Sequence, residues 1–120
     1  MAGVQLRTTS RGQLIFLAGM KGAGLVKLVK ANYRLNQWMD VCLTVSARGE
    51  VRLYIDRRLA DAATAPGDWQ VSSNALYLGS DNGLSRFFKG ALGYFEFYTR
   101  AWREKEILQM HENYIQALRR

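Results

Sequence analysis

Several residue types are scarce in this 120-residue chain, and each scarcity excludes something. A single cysteine, Cys42, cannot form an internal disulfide, so the framework that staples small secreted domains is absent and a reducing compartment suits the chain. Cys42 lies in the apolar run from Val41 to Val45 and reads as a packing residue rather than a nucleophile. The lone histidine, His111, stands beside Glu112 in a C-terminal helical pattern and reads as a solvated side chain. No apolar run reaches the length of a membrane-spanning helix, and Met1 to Arg7 contain no apolar stretch before the first charge. Neither a span nor a secretion signal is expected, which favours an intracellular or virion setting without fixing it. Acids are missing from residues 1–39, where Arg7, Arg11, Lys21, Lys27, Lys30 and Arg34 stand unopposed. The formal net charge of +7 is therefore concentrated in the first third of the chain, a field that favours encounters with polyanions or an acidic protein face without choosing between them.

The chain has enough apolar residues, 48%, and enough aromatic ones, 12%, to fold as one domain over 1–120 rather than remain disordered. Glycines punctuate short apolar runs, which predicts strands near 4–9, 13–18, 25–31, 38–46, 50–56, 69–72, 75–79 and 87–99 in an antiparallel arrangement. The plainest hairpin joins 38–46 to 50–56 through Ala47-Arg48-Gly49. Val41, Leu43, Val45, Val51, Leu53 and Ile55 fall on its core face; Thr44, Arg52 and Tyr54 fall on the other, where Tyr54 is either a surface ring or part of a second layer. Segment 25–34 fits both a strand and a short basic amphipathic helix. From Ala101 to Leu118, Ile107, Leu108, Met110, Tyr114, Ile115 and Leu118 recur at helical spacing, with Glu104 and Glu106 early and Arg119-Arg120 last, as the helix dipole favours. No internal repeat is evident.

One ordered set of motifs is more specific. Asn36-Gln37-Trp38, Val41 to Val45, Leu53-Tyr54-Ile55-Asp56, Leu76-Tyr77-Leu78-Gly79, Phe88-Lys89-Gly90, Gly93 to Tyr98 and Thr99-Arg100-Ala101-Trp102 occur in register. Over about residues 35–115 this resembles the second half of a laminin-G-like or concanavalin-A-like jelly-roll domain. The resemblance implies an all-β fold, an antiparallel jelly-roll β-sandwich with a C-terminal α-helix. It makes Trp38, Tyr54, Gly79, Gly90 and Trp102 structural residues, with Trp38 a large buried ring and the two glycines at bends or close approaches. The chain departs from the pattern twice. Arg57-Arg58 stands where the family has glycine, so that turn is expected to be longer or of another type. Only about 35 residues precede the matched portion, which implies either a fragment or an N-terminally shortened sandwich whose open edge is covered by the helix, a second copy or a partner protein.

Nothing in the sequence assembles a catalytic centre. The strand acids Asp56 and Glu96 are isolated, the paired carboxylates of the family's hydrolase branch are missing, and no phosphate loop or nucleophile motif occurs. The chain thus reads as a non-catalytic binding or assembly module, a structural or interaction subunit of a larger complex that engages a protein partner or itself. A lectin-like glycan-binding domain is the alternative implied by the resemblance, with Trp69, Tyr77 and Tyr94 as candidate stacking aromatics. The resemblance also raises calcium, for which Asp81 and Asn82 are the candidates, although a turn accounts for Ser80-Asp81-Asn82 better and no cofactor is expected. Nucleic-acid binding is a further alternative, disfavoured because only Phe16 and Tyr33 accompany the six N-terminal cations.

Overall fold

The computed structural model of the chain describes residues 4–22, 24–65, 102–109 and 112. Six strands make two antiparallel sheets. The first holds β1 (Val4–Thr8), β2 (Gln13–Met20) and β3 (Gly24–Asn32) in the order β1-β2-β3; the second holds β4 (Val41–Val45), β5 (Glu50–Ile55) and β6 (Arg58–Thr64) in the order β4-β5-β6. Leu14, Phe16, Ala18 and Met20 from alternate positions of β2 meet Val29, Val51 and Leu53 in one buried cluster, which Leu43, Ile55 and Ala63 flank. A helix, α1, is helical at 104–109 and again at 112. Its entry is capped from within, Glu106 Oε1 accepting the Arg103 N–H at 3.2 Å. This is the all-β sandwich with a C-terminal helix that the sequence implies.

Each sheet has buried residues on both of its faces. Ile15 and Leu17, which point away from the cluster, are as buried as Leu14 and Phe16. β2 is therefore an inner strand, and its unbroken run Leu14 to Met20 reads accordingly. On the second sheet Tyr54 and Thr44, opposite the cluster, are 2% and 8% exposed, so Tyr54 belongs to a second packing layer and is not a surface ring.

The doubtful segment 25–34 is strand, and a bulge explains the doubt. Phe16 pairs with Val29 but Leu17 pairs with Lys27, leaving Leu28 as the extra residue. Without that insertion strict alternation would carry Lys27 into the core with Val29 and Ala31. The bulge instead puts Val26 opposite Ala18 on the core face and sends Lys27 to the other side. A Leu-Val-Lys triplet used twice is thus a bulged strand whose three-residue step imitates a helical stripe.

The two sheets share one plan, a repeat that the sequence hides. Thr9 Oγ1 accepts the N–H groups of Arg11 and Gln13, and Ser46 Oγ accepts those of Arg48 and Glu50, at 3.1 to 3.3 Å. Each hydroxyl residue also donates its N–H to the residue after the glycine, Gln13 O or Glu50 O, and Gly12 and Gly49 both lie at positive φ, +74° and +81°. The third strand then docks on the same glycine carbonyl: Tyr33 N–H reaches Gly12 O at 2.9 Å, and Ala65 N–H reaches Gly49 O at 2.8 Å. Both third strands carry a bulge, at Leu28 and at Ala60. The common sequence signal is only a hydroxyl residue, any residue, Arg and Gly, too short to stand out.

Other expectations are corrected. β6 is a strand where a loop was expected: Arg58-Leu59-Ala60-Asp61-Ala62-Ala63-Thr64 has little β propensity and is held by pairing with β5. The turn joining them keeps the two-residue form despite lacking glycine, with Asp56 and Arg57 both left-handed at φ 51° and 70°. β4 starts at Val41, not at Trp38. Of its three expected core residues only Leu43 packs on the cluster, while Val41 and Val45 are over a third exposed. In α1, Ile107 is buried but Leu108 is 43% exposed, so the apolar stripe is narrower than its spacing suggests. The strands expected at 69–72, 75–79 and 87–99, together with Gly79, Gly90 and His111, lie outside the described residues.

Candidate functional site

The connection from β3 to β4 is pinned at both ends. At its start, the Tyr33 amide is bonded to the β1–β2 turn through Gly12 O. At its end, Asp40 and Asp56 bond reciprocally: the Asp40 N–H donates to Asp56 Oδ1 at 3.0 Å, and the Asp56 N–H donates to Asp40 O at 2.9 Å. Between these points Asn36 turns the chain at φ 59°. Within this anchored loop Leu35 and Trp38 are 67% and 74% exposed, while Met39 is half-buried.

Trp38 is therefore not the buried ring that the resemblance implied. Its place three residues before β4 puts it beyond the pairing that starts at the Asp40–Asp56 clamp. It lines a groove of about 310 Å³ with Tyr33, Arg34, Gln37, Met39 and Asp56, between this loop and the β5–β6 turn. That volume lies at the lower end of small-ligand sites. Tyr33, Met39 and Ile55 make its apolar wall, while Arg34, Gln37, Asn32 and Asp56 supply polar groups.

The six N-terminal cations do not form one patch. Arg7 and Lys30 flank Ile15 in one rung of the first sheet, and Lys27 neighbours Leu17 in the next, so these three share the face away from the core cluster. Lys27 and Lys30 are exposed and Arg7 is half-buried. Arg11 and Lys21 occupy the two turns of that sheet, and Arg34 alone reaches the groove. Of the expected structural residues, Tyr54 is buried and Trp102 half-buried. The glycan candidates Trp69, Tyr77 and Tyr94 and the calcium candidates Asp81 and Asn82 lie outside the described residues. Among the described residues no His, Cys, Asp and Glu side chains gather as metal ligands, and no helix is long and apolar enough to cross a membrane.

Cys42 shares a rung with Tyr54 and Leu59 on the outer face of the second sheet. Burial pushes its thiol above the ordinary cysteine range, which disfavours the thiolate. Sequence reasoning missed Trp38 and Met39 as site residues because they fall at the start of the strand expected over 38–46, whereas β4 begins at Val41. The signal was present in Asn36-Gln37, a turn pair that interrupts alternation just before Trp38.

A family model described as the concanavalin A-like lectin/glucanases superfamily matches residues 2–108. The match takes in the first three strands, which the motif resemblance had left out. No curated protein and no solved structure matches the chain.

Proposed function

The chain belongs to the concanavalin A-like lectin/glucanases superfamily, and from that premise we propose that it is a non-catalytic binding module whose contact site is the Trp38 groove. The observation that carries this reading is a tryptophan held 74% exposed by a loop tied down at both ends. A mobile loop could hide an indole against the sheet. This one keeps the ring in water, where covering it would gain about 1.5–3 kcal/mol.

An interaction subunit of a larger assembly is the reading this favours. The glycan-binding alternative draws on the same indole, with Asn32 and Gln37 beside it as planar polar groups of the kind that recognise hydroxyls. The test is a panel of glycans and peptides screened against the purified chain and its Trp38→Ala variant, with thermal midpoints as fold control. The reading expects at least one ligand whose binding the variant loses at an unchanged midpoint, and no release of reducing ends from soluble glucans. Binding indifferent to Trp38, or glucan cleavage, would overturn it.

A further inference from the structure

Resting on that reading of the groove, we propose that its ligand is an extended acidic segment of a partner polypeptide. In this arrangement carboxylates meet Arg34 and Arg58, and apolar side chains cover Trp38 and Leu35.

Charge comes first. Among the described groove-lining residues Asp56 is the acid, and its Oδ1 is committed to the Asp40 amide. Arg34 lines the groove, and Arg58 is the cross-strand neighbour of Ile55, which forms part of the wall. Both arginines are exposed, and among the described residues neither has a carboxylate at ion-pair distance. The next residue in the turn, Arg57, is already engaged with Glu112 at 3.6 Å. Arg11 adds a further cation in the β1–β2 turn, whose Gly12 carbonyl holds Tyr33. Among the described residues Arg34 and Arg58 thus stand at the groove without a carboxylate partner, against the single lining acid Asp56, and guanidinium groups match carboxylates in geometry as well as sign.

Side-chain type then selects among anions. Trp, Tyr and Arg are the residues most enriched at the energetic centres of protein interfaces, and Trp38, Tyr33 and Arg34 line this one groove. Leu35 and Met39 lie on the same short loop, and aliphatic surface of this kind suits peptide side chains better than sugar hydroxyls or a phosphate backbone. A space of about 310 Å³ holds a few side chains of a passing strand, not a folded element.

The probe is a fluorescein-labelled decapeptide of glutamates interspersed with leucine and phenylalanine, followed by fluorescence anisotropy at low and moderate salt. Its lysine counterpart, a heparin-derived sulfated oligosaccharide and a neutral glucan oligosaccharide serve as competitors. The proposal expects the acidic peptide to bind and the lysine peptide not to. It also expects salt to weaken binding, and Trp38→Ala and Arg34→Ala each to weaken it about tenfold or more. Arg34→Glu is the second variant, and both positions are exposed enough for thermal midpoints to stay in place. An acidic peptide bound no better than its lysine counterpart overturns the proposal, as does a sulfated oligosaccharide that binds more tightly through the same two residues. If either oligosaccharide binds in a Trp38-dependent way while the peptide does not, the acidic partner is wrong and the groove remains the contact site. If Trp38→Ala alters no probe, both fall together.

Discussion

The carboxylate of Asp61 on β6 accepts the main-chain N–H of Lys30 on β3 through Oδ2 at 2.9 Å, and its Oδ1 accepts the Ala62 N–H at 2.9 Å. One acid thereby joins the two sheets and occupies an amide that points out of its own sheet, the kind of open donor that invites a foreign strand. Asp61→Ala is expected to lower stability by about 1–3 kcal/mol and to speed hydrogen exchange at the Lys30 amide. An unchanged exchange rate at Lys30 would show that this bond does not hold the sheets together.

The β5–β6 turn stores conformational strain at Arg57, whose left-handed backbone costs about 1–2 kcal/mol for an ordinary residue. Its ion pair with Glu112 is surface-exposed and weak by comparison. Arg57→Gly and Arg57→Asn should therefore raise the thermal midpoint or leave it unchanged, whereas Arg57→Ala, which keeps the strain and loses the pair, should lower it. A fall with glycine would mean that Glu112 matters more to the fold than the backbone does.

Gly49 is both left-handed, at φ +81°, and close to its neighbour: an added Cβ would sit 3.4 Å from the Cβ of Ala65. At Gly12 the same turn geometry has more room, the nearest atom being 3.6 Å away. Each alanine substitution should cost about 1–2 kcal/mol, with Gly49→Ala the more damaging. Negligible shifts in urea midpoint at both positions would refute the left-handed geometry assigned to the two turns.

Because burial raises the Cys42 pKa, alkylation by iodoacetamide should be slower in the folded chain than in the urea-unfolded chain at the same pH, and should converge on it at alkaline pH. The linked stability has a definite sign. The fold favours the protonated thiol, so its contribution is complete below the unfolded thiol's pKa and is lost as pH rises through the folded one. Fast labelling of the native protein at neutral pH would contradict this.

Trp38→Ala should leave the unfolding free energy within about 0.5 kcal/mol of the parent, as for an exposed surface residue. A loss of several kcal/mol would return Trp38 to the structural role first inferred for it.

Strand existence was largely legible. Runs such as Leu14 to Ala18 and Val51 to Ile55 carry their apolar content locally, and the Ser46–Gly49 turn has the hydroxyl and glycine its geometry requires. β6 was not legible, because an alanine-rich segment becomes a strand only when β5 supplies its partners. The groove was least legible of all. Trp38 looks the same in sequence whether it starts a strand or ends a loop, and the choice is made by bonds from Gly12 and Asp56, both more than fifteen residues away.

By itself the amino-acid order determined the all-β class, the turn glycines, the C-terminal helix and the concentration of positive charge, since each rests on period, propensity or composition within a few residues. Tertiary structure decided which side of β3 each lysine takes, that Tyr54 is buried, and that Trp38 is presented to solvent. Those outcomes depend on a bulge at Leu28, on cover for the second face of each sheet, and on a loop clamped from two directions. Each is a relation between distant segments, which no local pattern encodes.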